Sequence, residues 1–233
     1  MIERFINNFY GYGNLKAPHW FIGMEEGGGD SLQEIEQRIE TWHKRGQKIT
    51  EDLVDYHKAI GISIYFDESP KLQSTWKKLI RVLHVLEGKP LTTEAIKQTQ
   101  KASFGRSNGS SCLIELLPLP SPSISDWLYG EYSSLAYLQT RKAYRQQVIP
   151  DRIEKIQRLI QQYHPQTVMF YGLDYHEYWQ SISGSELEEI YIDQFRTYVG
   201  RYSHTKFIVT QHPASRGITN TYFEQVGQNF ISL

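Results

Sequence analysis

Two adjacent carboxylates lie where a strand could end and a loop begin. Glu25 and Glu26 follow a short apolar run and precede three glycines, Gly27 to Gly29. A carboxylate can act as a general base or stabilise a developing cation, and glycines let the backbone adopt positive φ and approach a ligand closely. The same composition also suits a tight turn that leads into a helix. The loop alone leaves both interpretations open.

A histidine occupies a comparable place near the end of the chain. His212 follows the apolar run 206–210 and is followed by Pro213. At such a position an imidazole could donate a hydrogen bond to a carbonyl or anion that develops in a transition state. It could equally cap the end of the strand, with the proline stiffening the exit.

A third chemical group interrupts an apolar run. Glu115 lies within 112–119, where ionisation of a covered carboxyl is costly unless a donor meets it. Glu115 could be structural, paired with an arginine or with backbone N–H groups. Alternatively, it could face a pocket and read the donor edge of a ligand.

Four short apolar runs are expected to position these groups, and none alternates cleanly between apolar and polar residues. This is typical of strands covered on both faces of a parallel sheet. The runs are Trp20 to Met24, Cys112 to Leu119, Thr167 to Tyr171 and Lys206 to Thr210. Helical spacing between them predicts helices that begin near Ser31, at Ser74 and before Ile153. We expect one α/β domain over residues 1–233, a three-layer α/β/α sandwich around a central four-stranded parallel sheet. Ligands of such sheets bind beyond the carboxyl ends of the strands.

Composition limits the classes of function. The 233 residues carry 25 Lys and Arg against 26 Asp and Glu, so the net charge of -1 provides no long-range field that attracts a polyanion. The single Cys112 excludes an internal disulfide and a cluster held by four thiolates, and it suits a reducing compartment. No apolar run is long enough to cross a bilayer. We expect a cytoplasmic protein with no membrane partner and no cofactor.

Taken together, these loops resemble a known family. The segments Gly23-Met24-Glu25-Glu26-Gly27 and His212-Pro213-Ala214-Ser215-Arg216 are similar to the motifs that end the first and last strands of the uracil-DNA glycosylase-like superfamily. The run 164–172 resembles the third strand of that superfamily, and Glu115 falls where its members often carry a base-reading Asn. The resemblance implies a fold with a four-stranded parallel sheet. It also implies hydrolysis of the N-glycosidic bond of a base in DNA or in a nucleoside-type substrate.

The resemblance also implies roles for individual residues. Glu25 would stabilise the sugar cation and orient water, His212 would hydrogen-bond the leaving base, and Glu26 is the reserve carboxylate. Base contacts would come from Gly23, Met24 and Glu115, and DNA contacts from Ser215 and Arg216. Glu25, Glu26 and Glu115 depart from the Asp or Asn, the Pro and the Asn of the superfamily, so uracil specificity does not follow.

Other functions remain open at this stage. The protein could bind a nucleotide or nucleic acid without turnover, or it could collect a divalent metal with Glu25, Glu26, Asp174, His176 and His212. Phosphate contacts could come from the basic residues of 141–158 or of 97–106, although both stretches also suit solvated helix faces. Tyr171 or Tyr175 could supply an aromatic face for a base.

Overall fold

The computed structural model of the chain describes residues 1–123 and 125–233, in which helices are interspersed with the strands of one sheet. The described residues form the strands β1 Gly11–Gly13, β2 His19–Glu25, β3 Thr50–Glu51, β4 Ser111–Leu117, β5 Thr167–Tyr171, β6 Glu188–Ile192, β7 Phe195–Tyr202 and β8 Thr205–Thr210. They also form the helices α1 Ile2–Asn8, α2 Leu32–Lys44, α3 Leu53–Ala59, α4 Ser74–Leu86, α5 Thr93–Ala102, α6 Tyr129–Tyr132, α7 Arg141–Tyr163, α8 His176–Ser183 and α9 Asn220–Ser232.

The sheet is mixed and contains eight described strands in the order β3-β1-β4-β2-β5-β8-β7-β6. In its middle, β2 pairs in parallel with β4 and with β5, and β5 pairs in parallel with β8. Antiparallel pairing joins β1 to β4, β7 to β8 and β6 to β7, whereas β3 is parallel to β1. The predicted α/β class is confirmed. The sheet is wider than the expected four strands, and it is not purely parallel.

The four strands that were not expected lie towards the two edges of the sheet, where the sequence gives little sign of a strand. β1 and β3 contain only three and two residues, too few to show a periodic pattern. β6 and β7 form a hairpin whose edge strand carries exposed Glu188 and Glu189, so it does not look like a buried run. Asp193 adopts a φ of 55° at the hairpin turn. Asp tolerates this left-handed region better than most residues.

The expected helices are present, and their ends have local causes. Ser31 caps α2 by accepting a hydrogen bond from the Glu34 N–H at 3.2 Å, and the Glu34 carboxylate accepts one from the Asp30 N–H at 3.0 Å. The first bond satisfies an amide donor that the first turn leaves unpaired, and the second holds the residue before the cap against the helix. The caps fix where α2 begins, just after the glycine loop.

Helices cover both sides of β2. Trp20 contacts Tyr163 at the end of α7, with ring centroids 6.3 Å apart, while Phe21 contacts Phe104, just after α5, at 5.9 Å. Because neighbouring side chains of a strand point to opposite faces, α7 and the segment after α5 lie on opposite sides of the sheet. No described helix is both long enough and apolar enough to span a membrane.

Arg152 of α7 corrects one expectation from the basic stretch 141–158. Its side chain is fully buried and donates to the carbonyl oxygens of Leu116 at 3.0 Å, Phe9 at 2.9 Å and Glu115 at 2.7 Å, with its guanidinium 3.7 Å from the ring centre of Tyr10. Arg152 therefore cannot contact phosphate. It ties α7 to β4 and to the segment that leads into β1.

We predict that Arg152→Ala lowers the free energy of unfolding by about 3 kcal/mol or more, because three buried carbonyls lose their donor. Urea denaturation followed by circular dichroism measures the change. Arg158→Ala is the matched control on the same helix, since Arg158 is exposed and pairs with Glu154 four residues earlier. It should cost at most about 0.5 kcal/mol. Equal losses in the two variants would contradict the buried role of Arg152.

Candidate functional site

The carboxyl ends of the parallel strands open onto one cavity of about 770 Å³, a volume typical of small-ligand sites. Its lining includes six of the residues expected to form the site: Met24, Glu25, Glu26, Glu115, His212 and Ser215. Glu25 and His212 therefore meet at one cavity although they come from opposite ends of the sequence. Gly27 and Gly28 also line it, and Gly28 has a φ of 121°, as expected of a glycine loop.

Glu26 is held by three side chains. Its Oε2 accepts a hydrogen bond from the Tyr12 hydroxyl at 2.7 Å and lies 3.4 Å from the Arg38 guanidinium, and its Oε1 lies 3.2 Å from Nε2 of His57. Burial alone would raise the pKa of Glu26, but the charge of Arg38 and the hydrogen bonds from His57 and Tyr12 lower it to about 2. Glu26 is thus a fixed anion with both oxygens engaged. That environment suits an anchor better than a reserve catalyst.

Glu25 has a different environment. Its Oε1 accepts a hydrogen bond from Arg141 at the start of α7, whereas its Oε2 is buried and has no hydrogen-bond partner within the described residues. Burial raises the pKa of Glu25, although the charges of Arg141 and Arg145 oppose that rise. A carboxylate with a raised pKa and one unengaged oxygen is a stronger general base than an ordinary surface carboxylate.

Glu115 on β4 forms a hydrogen bond with a residue on β5, beyond the intervening strand β2. Its Oε1 accepts a hydrogen bond from the Tyr171 hydroxyl at 2.9 Å, and its Oε2 is buried with no hydrogen-bond partner in the described part of the chain. Burial, only partly opposed by the Tyr171 hydrogen bond, raises the pKa of Glu115 to about 8. Near neutral pH the carboxyl is therefore mostly protonated, so it can donate as well as accept.

Gly23 makes this contact possible. It pairs in register with Glu115 on β4, and a Cβ at this position would lie 2.3 Å from the hydroxyl of Tyr171. The absence of a side chain lets the tyrosine from β5 cross over β2 and reach β4. Gly23 therefore has a packing role beneath Tyr171, and the next residue, Met24, lines the cavity.

His212 lies at the mouth of the cavity and is partly exposed. Its Nδ1 accepts a hydrogen bond from the Ala214 N–H at 3.1 Å, so the proton of the neutral ring lies on Nε2. Partial burial, followed by the charge of Lys78, lowers the pKa of His212 below 6.5. Lys78 also donates to the carbonyls of Pro213 and Ile218, which fixes the loop. At neutral pH the site thus holds a neutral imidazole that can donate from Nε2.

The other residues, expected to contact DNA, a metal or phosphate, lie only partly at the cavity. Ser215 lines the cavity, but Arg216 is exposed and does not. His176 stacks on Tyr198 with ring centroids 5.1 Å apart, away from the proposed metal ligands. Within residues 1–123 and 125–233, no group of three His, Cys, Asp or Glu side chains is arranged to hold a metal ion. Arg106, from the second basic stretch, pairs with Asp52 at 2.9 Å.

Several residues of the site were not expected from the sequence. Arg38, His57 and Arg141 complete the carboxylate environments, and Tyr65 and Trp76 form an aromatic wall of the cavity. The rings of Tyr65 and Trp76 lie 5.5 Å apart in an edge-on contact. Each comes from a helix or loop far from the strand ends in sequence. The one signal in the sequence for Arg38 and Arg141 was general: adjacent carboxylates need cations nearby.

Comparison of the sequence with protein-family models finds no matching family, and comparison with curated proteins finds no matching relative. The interpretation of the site therefore depends on its geometry.

We predict that Glu26→Gln destabilises the protein at pH 7 by about 3 kcal/mol, because the buried Arg38 loses one of its two carboxylate partners and is left with the more exposed Glu34. The folded-state pKa of Glu26 is depressed to about 2, so its contribution is complete above about pH 4.5 and is lost as the pH falls towards 2. Urea denaturation of both proteins at several pH values should show a gap at pH 3 less than half of that at pH 7. A gap independent of pH would contradict this account.

We predict that Glu115→Gln changes the pH dependence of stability in the opposite direction, because it stabilises the protein at high pH. The raised pKa of Glu115 means that wild-type stability falls as the pH rises above about 4.5, and that the loss is complete once the pH passes about 8. Glutamine keeps a donor and an acceptor but cannot ionise. Between pH 5 and pH 8.5 the variant should therefore gain on the order of 3 kcal/mol over the wild type. Parallel stability curves over that range, measured by urea denaturation, would show that Glu115 is ionised throughout.

Proposed function

We propose that this chain is a divergent member of the uracil-DNA glycosylase-like superfamily. We further propose that it hydrolyses the N-glycosidic bond of a base in DNA or in a nucleoside-type substrate. The observation that carries the proposal is the meeting of Glu25 and His212 at one cavity. A carboxylate and a neutral imidazole donor are the two groups that this reaction needs, one for each charge that develops.

The architecture supports membership of that superfamily. Four adjacent strands of the sheet, β4, β2, β5 and β8, pair in parallel with one another. The earliest of them in the chain ends in the Gly23-to-Gly27 motif, and the latest is followed by the His212-to-Arg216 motif. Both motifs contribute to the lining of the same cavity. The added edge strands and the Glu at three motif positions make the chain a divergent member.

Glu25 is proposed to act on the sugar side of the scissile bond. As the C–N bond breaks, the sugar gains oxocarbenium character, and a carboxylate beside it stabilises that cation electrostatically. The Oε2 of Glu25 is buried and has no hydrogen-bond partner within the described residues, so a water that reaches it when substrate binds would be oriented by it and would give it a proton. Arg141 holds Oε1 and thereby fixes the orientation of the carboxylate.

His212 is proposed to act on the departing base. The base leaves with the electron pair of the broken bond and becomes anionic until it is protonated. The Nε2–H of neutral His212 can donate a hydrogen bond to that anion, and Lys78 keeps the loop in place. A donor that is rigid before the reaction begins avoids the cost of reorganisation in the transition state.

Glu115 is proposed to read the base. In its protonated form its Oε2 can donate to a carbonyl or ring nitrogen, while the Tyr171 oxygen accepts. Protonated Glu115 and the Tyr171 hydroxyl together thus offer a donor and an acceptor at the position where the superfamily often has an amide. The partly buried Tyr65 and Trp76 provide apolar surface for a planar ring.

Binding of a nucleotide or nucleic acid without turnover is the second candidate. One observation favours it: Arg141 binds Oε1 of Glu25 and opposes the rise of its pKa, so Glu25 is a weaker base than burial alone would make it. The two candidates differ in whether any base is released.

We predict that the wild type releases free base from at least one member of a panel of nucleosides and oligonucleotides containing uracil, hypoxanthine, xanthine or mismatches. Glu25→Gln and His212→Ala should each lower the rate roughly 100-fold or more, because each removes a group that stabilises transition-state charge. Chromatography of released base and cleavage at abasic sites provide the readouts.

The matched control is Glu36→Gln on the exposed surface of α2, which should retain the wild-type rate. If the wild type binds members of the panel but releases no base, the protein is a binder and the catalytic proposal is wrong. Release that is unaffected by Glu25→Gln would assign the chemistry to another site.

A further inference from the structure

A second concave surface lies beside the cavity. This groove, of about 520 Å³, is lined by Arg141, Lys142, Arg145 and Ile149 of α7 and by Tyr178 of α8. Two contacts connect it to the cavity. Arg141 binds Glu25 of the cavity lining, and Tyr178 stacks on Tyr175, which also lines the cavity. A ligand that fills the cavity and extends past these residues would enter the groove.

The groove and the cavity differ in charge. Lys142 and Arg145 have no carboxylate within 4.0 Å among the residues that the structure describes, and Arg145 lies four residues after Arg141 on the same helix face. Like charges at this spacing cost helix stability, and Glu25 offsets the charge of Arg141. The cavity is lined instead by carboxylates, including Glu25, Glu26, Asp30 and Asp174. Although Arg38 and His57 also line the cavity, the groove with its cations of α7 is the more favourable of the two surfaces for a phosphate attached to a ligand.

The groove also presents aromatic surface. The rings of Tyr175 and Tyr178 stack with centroids 6.3 Å apart and an interplanar angle of 8°, and the Arg145 guanidinium lies 5.4 Å from the centre of the Tyr175 ring. Cations that follow a backbone beside aromatic faces that stack bases are the combination used to bind single-stranded nucleic acid. A phosphate alone would need no such stack.

We propose that the groove binds the phosphodiester backbone of single-stranded DNA, next to the nucleotide whose base occupies the cavity. This inference rests on the proposed function and specifies its substrate as a polynucleotide strand. A single strand fits better than a duplex because its base enters the cavity without a second backbone, which would have to pass residues 25–55, where nine acids face four bases and Glu25, Glu26 and Asp30 line the cavity. The unpaired bases of a single strand are also available to stack on Tyr178.

The test is fluorescence anisotropy with a labelled strand of about 12 thymidines at about 50 mM NaCl. The groove variant Lys142→Glu/Arg145→Glu should weaken binding roughly tenfold or more. The slope of the logarithm of the binding constant against the logarithm of salt concentration should also fall in magnitude by about 1.4, because two phosphate contacts are lost. The matched control Lys97→Glu/Lys101→Glu makes the same charge change on α5 and should weaken binding less than about threefold.

A third variant separates stacking from charge. Tyr178→Ala should weaken binding of the strand about fivefold or more while leaving the salt slope unchanged. Equal losses in the groove and control variants, no measurable binding by the wild type, or tighter binding of a duplex of the same length would overturn the proposal.

The outcome is distinguishable from failure of the proposed function. Base release from a free nucleoside does not involve the groove, so it reports on the cavity alone. Strand binding that depends on the groove without any base release would leave the groove site in place and remove the catalytic proposal. Base release from nucleosides without binding of the strand would keep the catalytic proposal and remove the groove site.

Discussion

The site depends on one electrostatic constraint: three carboxyl groups share a cavity edge from which water is partly excluded. Their charges repel more strongly there than in water, so they cannot all be ionised without compensation. The structure gives each group a different solution. Glu26 receives the Arg38 cation and two hydrogen-bond donors, Glu25 receives Arg141, and Glu115 keeps its proton. The result is one fixed anion, one half-engaged carboxylate and one neutral acid in a single cavity.

The elements around the cavity serve this arrangement. The Ser31 cap starts α2 so that Arg38 reaches Glu26, and α7 provides Arg141 at its first turn while Arg152 fixes the same helix to β4. Gly23 leaves space for Tyr171 to cross the middle strand. A helix cap, a buried arginine and a glycine thus determine the protonation states at the site, although none of them carries out chemistry.

Much of the frame could be predicted from local pattern, whereas the cation partners could not. Thr167 to Tyr171 was predicted as a strand because it is a short apolar run that ends in a loop signal, and it is observed as a fully buried strand with those bounds. Because the carboxyl ends of parallel strands lie at one edge of the sheet, the Glu25 and His212 loops were also expected at that edge. Arg141 was visible only as one of several basic residues, and sequence could not separate it from Arg152, which is buried beneath the site. The hairpin of β6 and β7 was missed because its exposed Glu188 and Glu189 give no signal of burial.

The central claim is that these three glutamates differ in protonation because of their partners. The most direct measurement is a ¹³C NMR titration of glutamate side-chain carboxyl carbons, assigned with the Glu26→Gln and Glu115→Gln variants. The account predicts a resonance that titrates near pH 8 and is absent from the Glu115 variant. It also predicts one that stays ionised down to about pH 3 and is absent from the Glu26 variant. Titration of both resonances between pH 4 and pH 5 would contradict it.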